Sequence, residues 1–281
     1  MIVRKSFRLL MVLFLLSGCA CGSMPKAGPL AKGFDEHSRK PSIPSNNAVV
    51  EKKHRLELPS HSDNDCIIEY KGYIVSYDES ARIPVWVAYE LTADEVNGTI
   101  GRRGKNFRPD DRVKVVQADN YDYRGSGWSR GHMAPAGDFK WDDVAMWDTF
   151  FYTNCCPQNK KLNNGSWNVL ENKVRTWARQ FGSVFVATGP IVGQNRNGKI
   201  GAHQVAVPDA FFKALLVYKD DSFHGIAFEM LNNPAKQRLL ESYLSVNELE
   251  KITGLDFFPS LDDSIEEIVE DDVDLKFWNI Q

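Results

Sequence analysis

Apolar and polar positions alternate along two pairs of segments. "CIIEYKGYIVSYDES" and "IPVWVAYELT" carry aromatic and β-branched side chains in near-alternation around a turn, and "AFFKALLVY" and "FHGIAFEML" flank "KDDS" in the same way. Both pairs predict antiparallel hairpins. "WDTFFYTN" and "GSVFVATGPIV" predict further strands. The period changes between Ser166 and Phe181, where Trp167, Leu170, Val174, Trp177 and Phe181 recur at helical spacing with Gly182 beyond. That stretch predicts one amphipathic helix. "PAKQRLLESYL" and "SVNELEKITG" predict later helices, the second opening on a Ser245 and Glu248 capping box and closing on Gly254. Strands and helices mix without βαβ regularity, so the expected class is α+β, a mixed, largely antiparallel sheet flanked by helices.

The hydrophobic pattern also divides the chain. Arg4, Lys5 and Arg8 precede an apolar run from Leu9 to Leu16 that is too short to span a bilayer, which predicts an export signal over residues 1–18. Leu16-Ser17-Gly18-Cys19 resembles the lipobox of bacterial lipoproteins, in which Cys19 becomes the acylated N-terminus. The expected protein is therefore exported and held on a membrane through lipidated Cys19, facing the periplasm or the cell surface, with an ordinary cleaved signal peptide as the alternative. Residues 19–60, rich in Pro, Ser, Lys and Asn as in "KPSIPSNNAVVEKK", predict a flexible stalk. A folded domain is expected over 61–260. Residues 261–281 form an acidic tail, with eight acidic residues between Asp262 and Asp274, expected to stay solvated or to cap the fold loosely.

Charge changes the picture in one place. The chain of 281 residues has a net charge of −3, but between Thr99 and Gln180 fourteen Lys and Arg face nine Asp and Glu. Affinity for a polyanion follows the local field, so this segment keeps a nucleic acid among the candidate partners. Beyond Cys19 the cysteines are Cys21, Cys66, Cys155 and Cys156. In an exported protein they can form disulfides, a Cys66 bond to Cys155 or Cys156 among them. Zinc is disfavoured, because CxxC and HxxxH spacings are missing.

Candidate chemistry centres on "SRGHMAPAGDF", which sets His132 beside Arg130 in a chain with six histidines. After it come a second strand and then a helix entered through Asn163 that carries Glu171 and Arg175 one turn apart. This order outlines a ββα finger whose polar side chains converge on a small site. A histidine with an ordinary pKa near 6.5 is largely neutral at neutral pH and can take a proton from water. Asn163 offers a hard, neutral amide oxygen suited to Mg²⁺, which keeps most of its waters. Arg130, and a guanidinium from "TIGRRGKNFR" upstream, can pair with phosphate oxygens. Each residue also has an ordinary structural use: a core histidine, an N-cap at Asn163 or Asn164, a Glu171–Arg175 pair on a helix surface. The ordered combination is what singles the stretch out.

That combination resembles the DNA/RNA non-specific endonucleases of the endonuclease G type, the ββα-metal nucleases. "SRGHMAPAGD" is similar to the family's core motif, "TNCCPQNKKLNNGSWNVLE" to its second block, and "PVWVAYELT" and "VAVPDAFFKALL" to its strand signatures, over roughly His61 to Phe258. The resemblance implies a ββα-metal finger with His132 as general base and Asn163 as the one direct protein ligand of Mg²⁺, for which Mn²⁺ can substitute. It implies that Glu171 orients metal-bound water, that Arg130 and Arg175 contact phosphate, that Arg103 stabilises the transition state, and that Asn154 supports the site. The implied reaction is hydrolysis of DNA and RNA phosphodiesters with little sequence preference, leaving 5′-phosphate ends. Ser129 stands where the family most often has aspartate, which leaves endo against exo preference open. The oligomeric state is open too, a homodimer included. Two other readings remain: a non-catalytic nucleic-acid-binding lipoprotein, and a cysteine hydrolase using Cys155 or Cys156 with His132.

Overall fold

The computed structural model describes residues 55–102, 104–193 and 197–280. The signal segment, Cys19, Cys21 and most of the stalk lie outside the described residues. In chain order the elements are β1 (Cys66–Glu69), β2 (Ile74–Asp78), β3 (Ile83–Thr92), α1 (Ala93–Val96), α2 (Asn120–Tyr123), β4 (Ser129–His132), α3 (Asp143–Asp148), β5 (Cys155–Gln158), α4 (Lys160–Asn164) and α5 (Ser166–Phe181). They continue with β6 (Ser183–Ile191), β7 (Lys199–Ile200), β8 (Val205–Ala206), β9 (Ala210–Lys219), β10 (Ser222–Leu231), α6 (Leu239–Ser242), β11 (Tyr243–Leu244), α7 (Val246–Thr253) and α8 (Asp263–Asp271).

Seven strands form the main sheet in the order β1-β2-β3-β6-β9-β10-β11. Every neighbouring pair in it is antiparallel, so its class is α+β with no parallel partner inside the sheet. Both expected hairpins are present, Ile74–Asp78 against Ile83–Thr92 and Ala210–Lys219 against Ser222–Leu231. The central strands are buried on both faces, which explains why "AFFKALLVY" reads as a nearly continuous apolar run.

Alternation along the strands sorts those side chains into two cores. On one face Val87, Val186, Phe211 and Leu215 pack with Trp167, Leu170, Val174 and Trp177 of α5. On the other, Trp86, Phe185, Phe212 and Leu216 meet Leu56, Leu58, Val246, Leu249, Phe257, Phe258 and Val269. The long helix spans the residues its periodicity predicts. Ser245 caps α7 through the predicted box with Glu248, and Gly254 closes it in the left-handed region at φ 71°.

Several expectations are corrected. "WDTFFYTN" is not a strand: Asp142 caps α3 by accepting from the Val144 and Ala145 N–H groups, Phe151 makes one isolated bridge to Arg108, and a strand forms only from Cys155. "PAKQRLLESYL" yields only the four-residue α6, because Gln237 bridges the Leu231 N–H and C=O at 2.7 and 2.9 Å and holds the preceding segment as a loop. Folded structure starts before residue 61, since Leu56 and Leu58 are buried and the Ser60 N–H donates to the Asp256 carbonyl at 2.8 Å. The tail is not solvated: α8 buries Val269, and Trp278 is fully buried against Trp177 with ring centroids 4.9 Å apart. Cys66, Cys155 and Cys156 are free thiols.

Candidate active site

A second, two-stranded ribbon pairs β4 with β5, setting His132 opposite Cys155 and Arg130 opposite Pro157. Alternation puts Arg130 and His132 on the same face of β4. After β5, Asn159 caps α4 by accepting from the Lys161 N–H at 2.9 Å. Buried Asn232 fixes this start, accepting from the Asn159 N–H at 2.7 Å and donating to the Pro157 and Pro208 carbonyls. Chain direction then changes at Gly165, where any Cβ would lie 2.4 Å from the Lys161 carbonyl oxygen. The expected single helix entry at Asn163 is therefore a short helix, a glycine joint and a long helix. Asn163 caps neither of them, and its side-chain amide makes no hydrogen bond to any described residue.

Helical spacing on α5 does the rest. Asn168, Glu171 and Arg175 fall on one stripe, beside the apolar stripe that packs on the sheet. Together with Arg130, His132 and Asn163 they line one cavity of about 710 Å³. Five of the seven residues singled out in the sequence thus share one space.

His132 packs against Phe107 and Phe150, ring centroids 4.8 and 5.1 Å away. Its buried Nε2 has no hydrogen-bond partner. Burial, and then the charge of Arg102, lower its pKa to about 4, so the ring is neutral at pH 7. Glu171 is pushed above the usual carboxylate range by burial and by the charge of Asp138, against the pull of Lys213 and Arg175. Arg175 is already engaged: its Nη1 donates to Asp138 at 2.5 Å and its Nη2 to Asn172 at 3.1 Å. Gly137 permits that approach, since a Cβ there would lie 2.9 Å from the Arg175 Nη1. Arg130 donates to Asn120 Oδ1 and lies over the Tyr123 ring at 5.4 Å.

Asn154 does not line the cavity. It is fully buried behind it, fastening the backbone of Ala134 just after His132. Arg103 lies outside the described residues; its neighbour Arg102 lines the cavity and acts on His132. Much of the basic stretch is spent elsewhere. Lys105 pairs with Asp143 at 2.7 Å, Arg112 with Asp110 at 2.6 Å, and Arg108 lies over the Trp147 and Phe151 rings.

Sequence reasoning missed two residues. Asp138, 1% exposed, joins Arg175 to the Tyr89 hydroxyl, which donates to it at 2.8 Å. Lys213, also 1% exposed, donates to Thr188 Oγ1 at 3.2 Å and lies 4.8 Å over the Trp167 ring, its pKa lowered by burial. The signal for Lys213 was available: it is the one charged residue inside the doubly buried run "AFFKALLVY".

The donor set fits a hard divalent cation. A neutral amide oxygen with no hydrogen-bond partner among the described residues, an acidic side chain and an imidazole whose Nε2 is unpartnered share a polar space roomy enough for several waters. The thiols do not fit a nucleophile: burial pushes Cys155 up to about 12 and Cys156 well above the usual range, which removes the cysteine-hydrolase reading.

Residues 54–264 match the family model described as DNA/RNA non-specific endonuclease. The chain belongs to the DNA/RNA non-specific endonuclease family. It is 41% identical over 207 residues to the mitochondrial nuclease EXOG of Danio rerio, covering 68% of this chain and 60% of that one. It is 36% identical over 204 residues to human mitochondrial endonuclease G, covering 68% and 69%. With nuclease C1 of Cunninghamella echinulata var. echinulata it shares 34% identity over 210 residues, 69% of this chain and 83% of that one. The chain spans 57 to 60% of the length of the animal EXOG nucleases it matches. The fold superposes on the crystal structure of an EndoG/EndoGI complex with a TM-score of 0.69 and 28% identity, covering 80% of this chain and 96% of that chain.

Proposed function

We propose that this protein is a Mg²⁺-dependent nuclease that hydrolyses DNA and RNA with little sequence specificity. The observation that carries this reading is the cavity that unites a neutral, unpartnered His132 with the unspent amide of Asn163, Glu171 and the guanidinium groups of Arg102 and Arg130. Asn163 would hold the cation, with Glu171 reaching it through water. Bound there, Mg²⁺ supplies Lewis-acid polarisation of the phosphoryl group and charge for the departing oxygen. His132 takes a proton from water as that water attacks phosphorus, and the P–O3′ bond breaks, the departing oxygen taking a proton from solvent, to leave 3′-hydroxyl and 5′-phosphate ends. Arg130 and Arg102 bind phosphate oxygens as charge builds on them. Contacts to phosphate rather than to base edges account for indifference to sequence.

We infer further that the enzyme is exported and anchored through an acylated Cys19, as the lipobox-like Leu16–Cys19 supports. Plasmid and RNA cleavage by the purified protein with Mg²⁺, and none in EDTA, is the expected result; Mn²⁺ should restore activity. Nucleic-acid binding without cleavage under any divalent cation would favour the non-catalytic lipoprotein instead. For the anchor, Cys19→Ser should move the protein out of the membrane fraction, and unchanged partition would reject acylation there.

A further inference from the structure

Behind the sheet, on the face away from the catalytic cavity, α7 and α8 bring acidic side chains together. Glu250 lies in the last turn of α7, and its Oε1 accepts from the Phe257 N–H at 2.7 Å. That bond folds the following turn so that Asp256 comes alongside. Glu270 comes from α8, and the carboxylate oxygens of Glu250, Asp256 and Glu270 lie within 4.8 Å of one another. Glu266 precedes Glu270 by four residues and so shares its helix face.

Like charges this close need something between them. Among the described residues no Lys or Arg forms an ion pair with any of the four, although the charge of Lys251 acts on its neighbour Glu250. Glu270 is only 7% exposed, and its Oε1 is buried without a hydrogen-bond partner. The Oε1 of Glu266 is buried and unpartnered as well. Burial, then the charges of Glu250, Glu266 and Asp256, push the Glu270 pKa up to about 8. A single shared proton would relieve one carboxylate and leave three charges in place.

We propose that Glu250, Asp256 and Glu270, with Glu266 beside them on α8, form a second divalent-cation site, of the calcium class, that ties α7, the turn after it and α8 together. Oxygen ligands sit about 2.3 to 2.6 Å from Ca²⁺, so opposed ligands stand up to about 5 Å apart, which suits the observed span. Mg²⁺, with shorter bonds and strict octahedral demands, suits it less. Val246, Leu249, Phe257 and Val269, from the same helices and turn, are buried in the core, while Asp256 is exposed and leaves the cluster open to solvent. The bound ion stabilises the fold and takes no part in the reaction.

The experiment uses the full chain carrying Asn163→Ala, so that the catalytic position does not respond. Melting is followed in EDTA, in CaCl2 and in MgCl2, with calorimetric titration of Ca²⁺ alone. Ca²⁺ at 100 times its Kd should raise Tm by about 5 °C or more, and Mg²⁺ should do less. Glu270→Gln should abolish the Ca²⁺ response. Asp256→Asn, an exposed change that leaves folding intact, should weaken Ca²⁺ by at least about tenfold, since the ligand charge count sets affinity. A Tm identical in Ca²⁺ and EDTA would overturn the proposal and leave a shared proton in the cluster. A Ca²⁺ response that survives both substitutions would overturn it too, by placing the ion elsewhere.

Discussion

Asn154 holds Ala134 by both of its backbone groups: the Ala134 N–H donates to Asn154 Oδ1 at 2.8 Å, and Asn154 Nδ2 donates to the Ala134 carbonyl at 2.9 Å. The same Nδ2 donates to the Thr149 carbonyl at 2.9 Å. Ala134 follows His132 by two residues, so the strand that carries His132 enters its next turn from a fixed point. Asn154→Ala leaves three buried backbone groups unpaired, and about 1 to 3 kcal/mol is lost for each. We expect a loss of at least about 3 kcal/mol in urea unfolding, together with a lower kcat in protein that is still folded. Asn154→Asp should be no better, because it keeps one acceptor and sets a charge against two carbonyls. An unfolding midpoint equal to that of the wild type would remove Asn154 from this role.

Arg175 and Arg130 both line the cavity, but they should fail in different ways. The side chain of Arg175 is 14% exposed and its partner Asp138 is 1% exposed. Arg175→Ala therefore strands a buried carboxylate, and the expected destabilisation is about 3 to 5 kcal/mol. Arg130→Ala releases the Asn120 amide and uncovers the Tyr123 ring but strands no buried charge, so it should cost less than Arg175→Ala. Its effect belongs to binding. In a His132→Ala background, Arg130→Ala should reduce the slope of log K against log salt for duplex DNA by about 0.9. An unchanged slope would mean that Arg130 meets no phosphate.

Local signals carried the hairpins, the long helix and the α7 cap, because each is written in neighbouring residues. Where an element depends on distant partners, the pattern misled. The aromatic run Phe150–Tyr152 looks like a strand, yet Phe150 is apolar because it packs on the His132 ring, and the Asp142 cap has already committed the chain to α3. Residues 262–280 are acidic enough to suggest a solvated tail, but Trp278 finds Trp177 a hundred positions earlier in the sequence. The site shows the same division. His132, Glu171 and Arg175 stand at spacings that β4 and α5 translate directly into one wall of a cavity, whereas Asn163 reaches it from α4, across the Gly165 joint. Asp138 and Lys213 reach the group only through the fold, from a turn and from a central strand. Which upstream arginine enters the cavity is equally a matter of loop path, and Arg102 does so.

Titration of His132 offers a direct check on how far its ring is withdrawn from water. Its pKa is held at about 4 by burial and by Arg102. Following the ring Cε1–H signal by NMR in the metal-free full chain should give a midpoint well below the ordinary 6.5. The linkage has a definite sign: the unfolded ring takes up its proton near 6.5 and the folded ring near 4. The stabilising contribution is thus complete above about pH 6.5 and is lost as pH falls through about 4. His132→Ala should make the decline of Tm across that window shallower. A midpoint at or above 6.5 would show the ring to be solvated or paired with an anion, and the base assignment would need a different environment.

His132 and Asn163 should act as a unit. One takes the proton from the attacking water, and the other would hold the cation that polarises its target, so either alone is insufficient. General-base catalysis contributes about 10² to 10⁴ in rate, and the displacement of the cation from this wall would remove the setting in which the base is useful. We therefore expect His132→Ala and Asn163→Ala each to lower kcat by at least about 10²-fold, with the double variant little worse than the poorer single one. Folding should survive in all three, because the Asn163 amide makes no hydrogen bond to the described residues and the His132 Nε2 is unpartnered already. Truncating His132 uncovers the rings of Phe107 and Phe150, a packing loss that circular dichroism and melting would register separately from chemistry. Measured at saturating Mg²⁺ with those fold controls, near wild-type kcat in His132→Ala would refute the base. Fully multiplicative losses would place the two residues in separate steps.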